Sequence, residues 1–475
     1  MYGFLARAGT ASVVLAATGL LSACGRSEER AAGYAAQYEA AMANNDPWHA
    51  RIAMTEAVKY DDANAAYWLG LAKAQLMMAD YGGAYGSLTR SSELDRSNVD
   101  TLQMLADLSV MSGNPSRSKE LIDQVLLLQP ASIAAQSTLG FIGLKNGEYE
   151  DALTHANTVL ESRPDDSNAM VLKARALTSL LREKEAIAAL TTYIQAHPGD
   201  RATLDALAGI SGRIGDHQGE EEARARLLAL APDNVDLQID HAAALYALGQ
   251  RKRADEITAP LVASGRAGAR LMDIMGLWSR YEKPGWFLPL VRARIPAASP
   301  DEKVRFAHVL TLNGAAGEAA ALVAPFAQLP VRPGNTGAIA VRARALALTG
   351  QRAEALSLLN AVLAFDETNV LALRARADLY LDTGRPLSAI PDAQRLVAEK
   401  PQAADDRVRL ARAYALAKKP QMAENTYRAA IQDIPASPIL FADLRRYLVG
   451  AGRADELANL DQQYVDQKRL ARTRW

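Results

Sequence analysis

The chain has a single thiol, Cys24, which follows Leu21, Ser22 and Ala23 at the end of an apolar stretch. No second cysteine could pair with it, which removes disulfides and thiolate metal sites from consideration. Residues 8–20 carry no charge, Arg7 stands ahead of them, and the polar segment from Gly25 to Arg30 follows. A basic start, a short apolar run and small residues before a cut have the layout of a secretory signal. A run of about thirteen residues is too short to span a hydrocarbon core of roughly 30 Å. The other side chains able to do chemistry are histidines, paired carboxylates and arginines. The histidines are His49, His155, His197, His217, His241 and His308; they share no common position and no metal-ligand spacing. Asp61/Asp62, Asp165/Asp166 and Asp405/Asp406 recur at the junctions between repeating units, where capping and solvation account for them. No Gly-x-Ser-x-Gly elbow, phosphate-binding loop or dinucleotide glycine pattern occurs. The expectation is a protein that is not an enzyme, with no catalytic residue, no cofactor and no metal.

The formal net charge is −1, and loss of Arg7 with residues 1–23 would leave −2. That balance gives no general electrostatic footprint for nucleic acid. Aromatics make up 6% of the chain and charged residues 23%, while alanine and leucine are abundant. Such a mixture favours closely packed helices lined by small side chains.

The elements that must carry these residues are announced by a repeat. Pro130, Pro164, Pro198 and Pro232 stand 34 residues apart, and Pro401 and Pro435 repeat the step. A period in this range signals a stacked array. With units starting at Ala31, Ala65, Val99, Ile133, Ser167, Arg201 and Val235, the eighth residue is mostly tiny: after Tyr38 come Ala72, Ala106, Gly140, Ala174, Ala208 and Ala242. The twentieth is also small (Ala50, Ala84, Ser118, Ala152, Ala186, Ala254), with Glu220 a departure. Two small columns twelve residues apart suit two antiparallel helices whose backbones cross closely. Between them Gly113, Gly147, Gly215, Gly249, Gly350 and Gly384 share one column, as left-handed helix caps require. Asn64, Asn98, Ser132, Asp166, Asp200, Asn234, Asn369 and Ser437 close their units and are suited to cap the next helix.

This pattern resembles the tetratricopeptide repeat. Trp68 and Leu71, the Leu139–Gly140 pair, Tyr81 and Tyr149 ahead of the second-helix alanine, and Glu354 with Ala355 carry the likeness. It implies an all-α, right-handed superhelical α-solenoid of about thirteen helix hairpins. The Leu21–Cys24 tetrad in turn resembles the bacterial lipobox. That resemblance implies cleavage between Ala23 and Cys24, lipidation of Cys24, and a membrane-anchored chain facing the periplasm, with the outer membrane favoured because Gly25 is not aspartate. A plain cleaved signal with an incidental cysteine is the alternative. The expected domains are a signal peptide over 1–23, a lipidated cysteine and short extended tether over 24–30, an N-terminal array over 31–266, and a joint of degenerate repeats over 267–335. A C-terminal array over 336–458 and a basic capping helix or tail over 459–475 complete the chain. Within the joint, Trp278, Trp286 and Phe287 are expected to fill space, an exposed sticky patch being the alternative, and Pro289 to sit near the start of a shortened helix.

Binding is then the expected activity, because stacked hairpins create a concave surface. In tetratricopeptide arrays the first helix of each unit lines that groove. By that analogy the N-terminal groove offers Glu39, Lys73, Leu76, Gln103, Asp107, Phe141, Lys145, Arg175, Arg213 and Tyr246. The C-terminal groove is more basic, with Arg344, Arg374, Arg412 and Arg446 against Asp378. Arginine's planar fork suits carboxylates, which points to an acidic peptide or a polyanionic saccharide. Solvated faces with intramolecular ion pairs are the plainer reading of the same residues. The resemblance implies a scaffold for envelope proteins or peptides in assembly or secretion, exopolysaccharide biosynthesis or export included. Alternatives are a periplasmic polysaccharide-binding component and a pilus or outer-membrane assembly factor.

Overall fold

The computed structural model describes residues 10–471, with side chains from 27 to 469. Residues 1–9 of the expected signal, the side chains of Ala23 and Cys24, and Arg472, Arg474 and Trp475 of the basic tail lie outside the described residues. The described chain folds as an all-α repeat array of 26 α-helices and three short 3-10 helices, with no strand. None of these helices is long and apolar enough to cross a membrane.

Each regular repeat is a hairpin, as in Val99–Met111 followed by Pro115–Leu128, after which Ile133–Asn146 opens the next. The column of Asn, Ser and Asp residues starts the first helices. Asn98 Oδ1 accepts from the Thr101 amide at 3.0 Å, and Asp200 Oδ1 accepts from Thr203 at 2.8 Å. The turn between the two helices places one residue in left-handed geometry. Gly113, Gly147, Gly215, Gly249, Gly350 and Gly384 have φ between 68° and 91°. Asn45, Ala79, Leu181 and Lys418 occupy the equivalent place in their units, at φ 54–59°. The hairpin therefore imposes this conformation even where a side chain opposes it.

Both small columns are buried to completion: Ala72, Ala106, Ala174, Ala208 and Ala242 in first helices, Ala50, Ala84, Ala152, Ala186 and Ala254 in second helices. At Gly140 a Cβ would stand 2.4 Å from Leu172 Cδ2, so this unit takes the smallest residue of all. Glu220, the departure from the second column, has room because Gly212 faces it; a Cβ there would meet the carboxyl at 2.8 Å.

The chain divides into two compact units, Met1–Ala189 and Leu190–Trp475. The division falls inside the helix Glu183–Ala196, away from the 267–335 stretch singled out by composition. In the first unit, buried clusters run from Tyr38 to Ala74 and from Leu69 to Ala135. In the second, one cluster extends from Ile239 to Leu396 and takes in the whole irregular stretch. There the hairpin Leu271–Tyr281 and Pro284–Arg294 keeps the repeat going. Trp278 and Phe287 are fully buried, and Trp278 donates its indole N–H to Thr258 Oγ1 at 3.0 Å; Trp286, expected to fill space with them, instead stays exposed with its ring edge-on to Trp278. Pro289 lies inside Pro284–Arg294, and Pro284 takes the first position where a missing N–H does no harm.

At the N-terminal end, Gly25–Arg30 is not an extended tether. It belongs to the long helix Thr10–Ala43, Ser27 Oγ donates to the Tyr60 carbonyl at 2.5 Å, and the Arg30 guanidinium lies over the Tyr60 ring. At the other end, Leu457–Ala471 packs against Pro438–Gly450 and buries Leu460.

Candidate binding face

In the second unit, five first helices line one open cavity of about 380 Å³: Pro300–Leu312, Thr336–Leu348, Val370–Asp382, Ala404–Leu416 and Pro438–Gly450. No second helix contributes a lining residue. The reason is local: the small column of these first helices, Ala307, Ala343, Ala377 and Ala411, is wholly buried, which leaves another stripe facing the cavity. The ninth residues of these five helices are His308, Arg344, Asp378, Arg412 and Arg446, and all of them reach the cavity. Arg374, one turn earlier on its helix, joins them. The structure thus brings Arg344, Arg374, Arg412 and Arg446 together on one face.

They do not stand alone. Arg344 Nη1 donates to Asp378 Oδ2 at 2.6 Å across one repeat, and Arg409 Nε donates to Asp378 Oδ1 at 2.7 Å. Arg374 grips Asp406 with two nitrogens, Nε to Oδ1 at 2.9 Å and Nη2 to Oδ2 at 2.6 Å; Arg409 Nη1 reaches the same Oδ1 at 2.5 Å. Arg412 is bidentate to Asp443, Arg446 Nη2 donates to Asp443 Oδ1 at 2.6 Å, and the Tyr427 hydroxyl donates to Oδ2 at 2.7 Å. Each of the three carboxylates therefore serves guanidiniums from at least two side chains. The bond to Asp406 raises Arg374 above the ordinary arginine value, and that to Asp443 does the same for Arg412. Burial lowers the His308 imidazole, and the Arg344 and Arg374 charges push the same way.

Sequence reasoning took Asp405/Asp406 as a capping and solvating pair. The structure corrects this for Asp406, whose carboxylate is fully buried against Arg374 and Arg409. Arg409, Asp406, Asp443 and Tyr427 were not singled out as part of this face. The signal was present for the carboxylates: both stand in first helices about a repeat beyond an arginine already noted, at separations of 32 and 31 residues.

The N-terminal candidates are less coherent. Lys73 pairs with Asp100 at 3.7 Å, and Glu39 and Lys145 are exposed. Asp107 Oδ1 accepts from Thr138 Oγ1 at 2.6 Å and Gln103 Nε2 at 3.0 Å, and burial raises its carboxyl above the ordinary value. Tyr246, expected on a groove, is instead almost wholly buried, stacked on Tyr281 and donating to Asp255 at 2.5 Å. Its place on the helix turns it into the core beneath the irregular hairpin. Among the described residues there is no group of three or more histidines, cysteines or acids placed to hold a metal ion.

A repeat array of helical hairpins with a charged cavity lined by first helices is the class that fold and site define. Residues 141–257 match the family of the Psidin N-terminal TPR repeats region, and residues 374–438 match the tetratricopeptide repeat family. The second of these stretches contains Arg374, Asp406 and Arg412. No curated protein matches the chain. Among solved structures the chain is similar to PilW, a type IV pilus biogenesis factor, at 19% identity over 44% of this chain and 96% of that one, TM-score 0.39. It is similar to PilF of Pseudomonas aeruginosa at 13% identity, 42% and 91% coverage, TM-score 0.35. It is similar also to YrrB, a TPR protein with an unusual peptide-binding site, at 18% identity, 36% and 87% coverage, TM-score 0.32.

Proposed function

We propose that this chain is a non-enzymatic scaffold that docks protein partners on the inner face of its second unit and is held at a membrane by lipid on Cys24. The observation that carries the docking reading is the convergence of five successive first helices on one open, charged cavity. Tetratricopeptide repeats typically act as binding scaffolds, and the two matched stretches support that role here. The anchoring half of the proposal rests on the Leu21–Cys24 tetrad alone. Partners would belong to envelope assembly or secretion, facing the periplasm, and exopolysaccharide export is the pathway that such repeat lipoproteins suggest first.

Photo-crosslinking in cells tests the docking reading. A benzophenone amino acid replaces Leu312 or Ile439, which are exposed in the cavity wall, or Leu387, exposed on a second helix. Discrete protein adducts from the first two positions and not from Leu387 are expected; equal adducts from all three, or none from the cavity, refute it. Incorporation of labelled palmitate that disappears in Cys24→Ser is expected for the anchor, and an unlabelled native chain refutes that half independently.

A further inference from the structure

The charged cavity also indicates what kind of segment it accepts, an inference that rests on the docking reading above. The hydrogen-bonded groups form two clusters. One holds Arg344, Arg374 and Arg409 around Asp378 and Asp406. The other holds Arg412 and Arg446 around Asp443. Each cluster has one guanidinium more than it has carboxylates. Asp405 also lines the cavity, and the five arginines still outnumber the four acids.

The excess charge faces outward most in the second cluster, since Arg344, Arg374 and Arg409 of the first keep only 26%, 36% and 15% of their free exposure. Asp406 and Asp443 are buried beneath the guanidiniums, whereas the Arg446 side chain keeps 69% and Arg412 47% of its free exposure. A guanidinium has five N–H donors, and Arg446 spends one on Asp443. Two guanidiniums meeting on one carboxylate repel each other, so an anion on their open side is doubly favoured. Between the charges the wall is aliphatic: Leu312, Leu371, Leu381, Val408 and Ile439. None of the lining residues is Trp, Tyr or Phe, the side chains whose faces a sugar ring would stack upon. Aliphatic patches set among arginines suit acidic and aliphatic side chains of a protein segment far better than a polymer of sugars.

We propose that the cavity recognises an extended segment of a partner protein carrying two acidic positions with aliphatic residues between them, one acid at each cluster. Arg409 shares a helix with Arg412 but is mostly buried, so the first acid is assigned to Arg344, which sits two first helices from Arg412. At about 8–10 Å between packed helices the acids are then roughly 16–20 Å apart, which an extended chain at about 3.3 Å per residue covers in five or six residues.

Fluorescence anisotropy with the full-length chain tests this. The probe is a labelled twelve-residue peptide with paired glutamates six residues apart and leucine and valine between them, against its glutamine isostere and against a polyuronate as unlabelled competitor. The glutamate peptide is expected to bind at least tenfold tighter than the isostere, and the advantage is expected to shrink severalfold between 50 and 500 mM salt. Arg446→Gln, which leaves Arg412 on Asp443, is expected to weaken the glutamate peptide at least threefold and the isostere little, with an unchanged melting temperature showing that the fold is intact. Equal binding of both peptides overturns the acidic preference while leaving the docking reading standing. Absence of binding by either, or displacement by polyuronate at lower concentration than by unlabelled glutamate peptide, overturns the proposal as well; cavity-directed crosslinks in cells then decide separately whether protein docks there.

Discussion

Tyr427 donates its hydroxyl to Asp443 Oδ2 at 2.7 Å, from the second helix of one repeat to the first helix of the next. The phenol is buried, and burial beside Asp443 raises it well above the ordinary tyrosine value, so it stays a donor at any pH the fold survives. It is the one neutral group supporting a carboxylate that otherwise depends on two half-exposed arginines. Tyr427→Phe is expected to cost about 1 kcal/mol in urea denaturation, the ordinary net worth of one such bond. A loss below about 0.3 kcal/mol would show that water or Arg412 replaces the hydroxyl fully.

The left-handed turn column makes a prediction of the opposite sign. Ala79, Leu181 and Lys418 hold φ values of 57–59°, where Gly113 and its counterparts sit without a Cβ penalty. Ala79→Gly, Leu181→Gly and Lys418→Gly are each expected to stabilise their unit by roughly 0.5–1 kcal/mol, the relief of left-handed strain less the glycine entropy cost. Gly249→Ala, at φ 82°, is expected to destabilise by about 1 kcal/mol. Thermal unfolding of the four variants checks both signs at once.

His308 should make stability pH-dependent on the acid side. Burial first, then the charges of Arg344 and Arg374, hold its imidazole below the ordinary value of 6.5. The unfolded chain then binds the proton more tightly than the fold does, so stability is lost as pH drops below about 6.5 and is fully present above it. His308→Gln is expected to flatten that part of the profile. Melting temperatures of wild type and variant at pH 7.5, 6.5 and 5.5 decide the matter: parallel curves would mean that other groups set the slope.

Much of the fold was legible because each repeat restates it. The small columns, the caps and the turn glycines act over a few residues, and the structure shows the caps bonded and the small columns buried. Where a column broke, the compensation was non-local: Gly212 admits Glu220 from eight residues away. The face was legible only by halves. Position on a first helix showed which arginines point inward, but it could not show that Asp406 lies beneath Arg374 and Arg409, since an acid in the first turn of a helix reads equally well as an electrostatic cap. Tyr246 misled for a related reason. It stands in a first helix like the groove residues, but Tyr281 of the irregular hairpin stacks on its ring and Asp255 takes its hydroxyl, contacts between residues far apart in any local pattern.

The bond from Arg344 to Asp378 spans 34 residues, one full repeat, between equivalent positions of adjacent first helices. A gene that lost residues 370–403 in frame would lose one hairpin, keep every other helix and leave Asn369 to cap the next one, yet it would set Arg344 beside Arg412, cation against cation. Repeat number in this half of the molecule is therefore not freely adjustable by duplication or loss. The order of the repeats is written into their charges, and a shuffled or shortened descendant would have to rewrite the acids before it could stack.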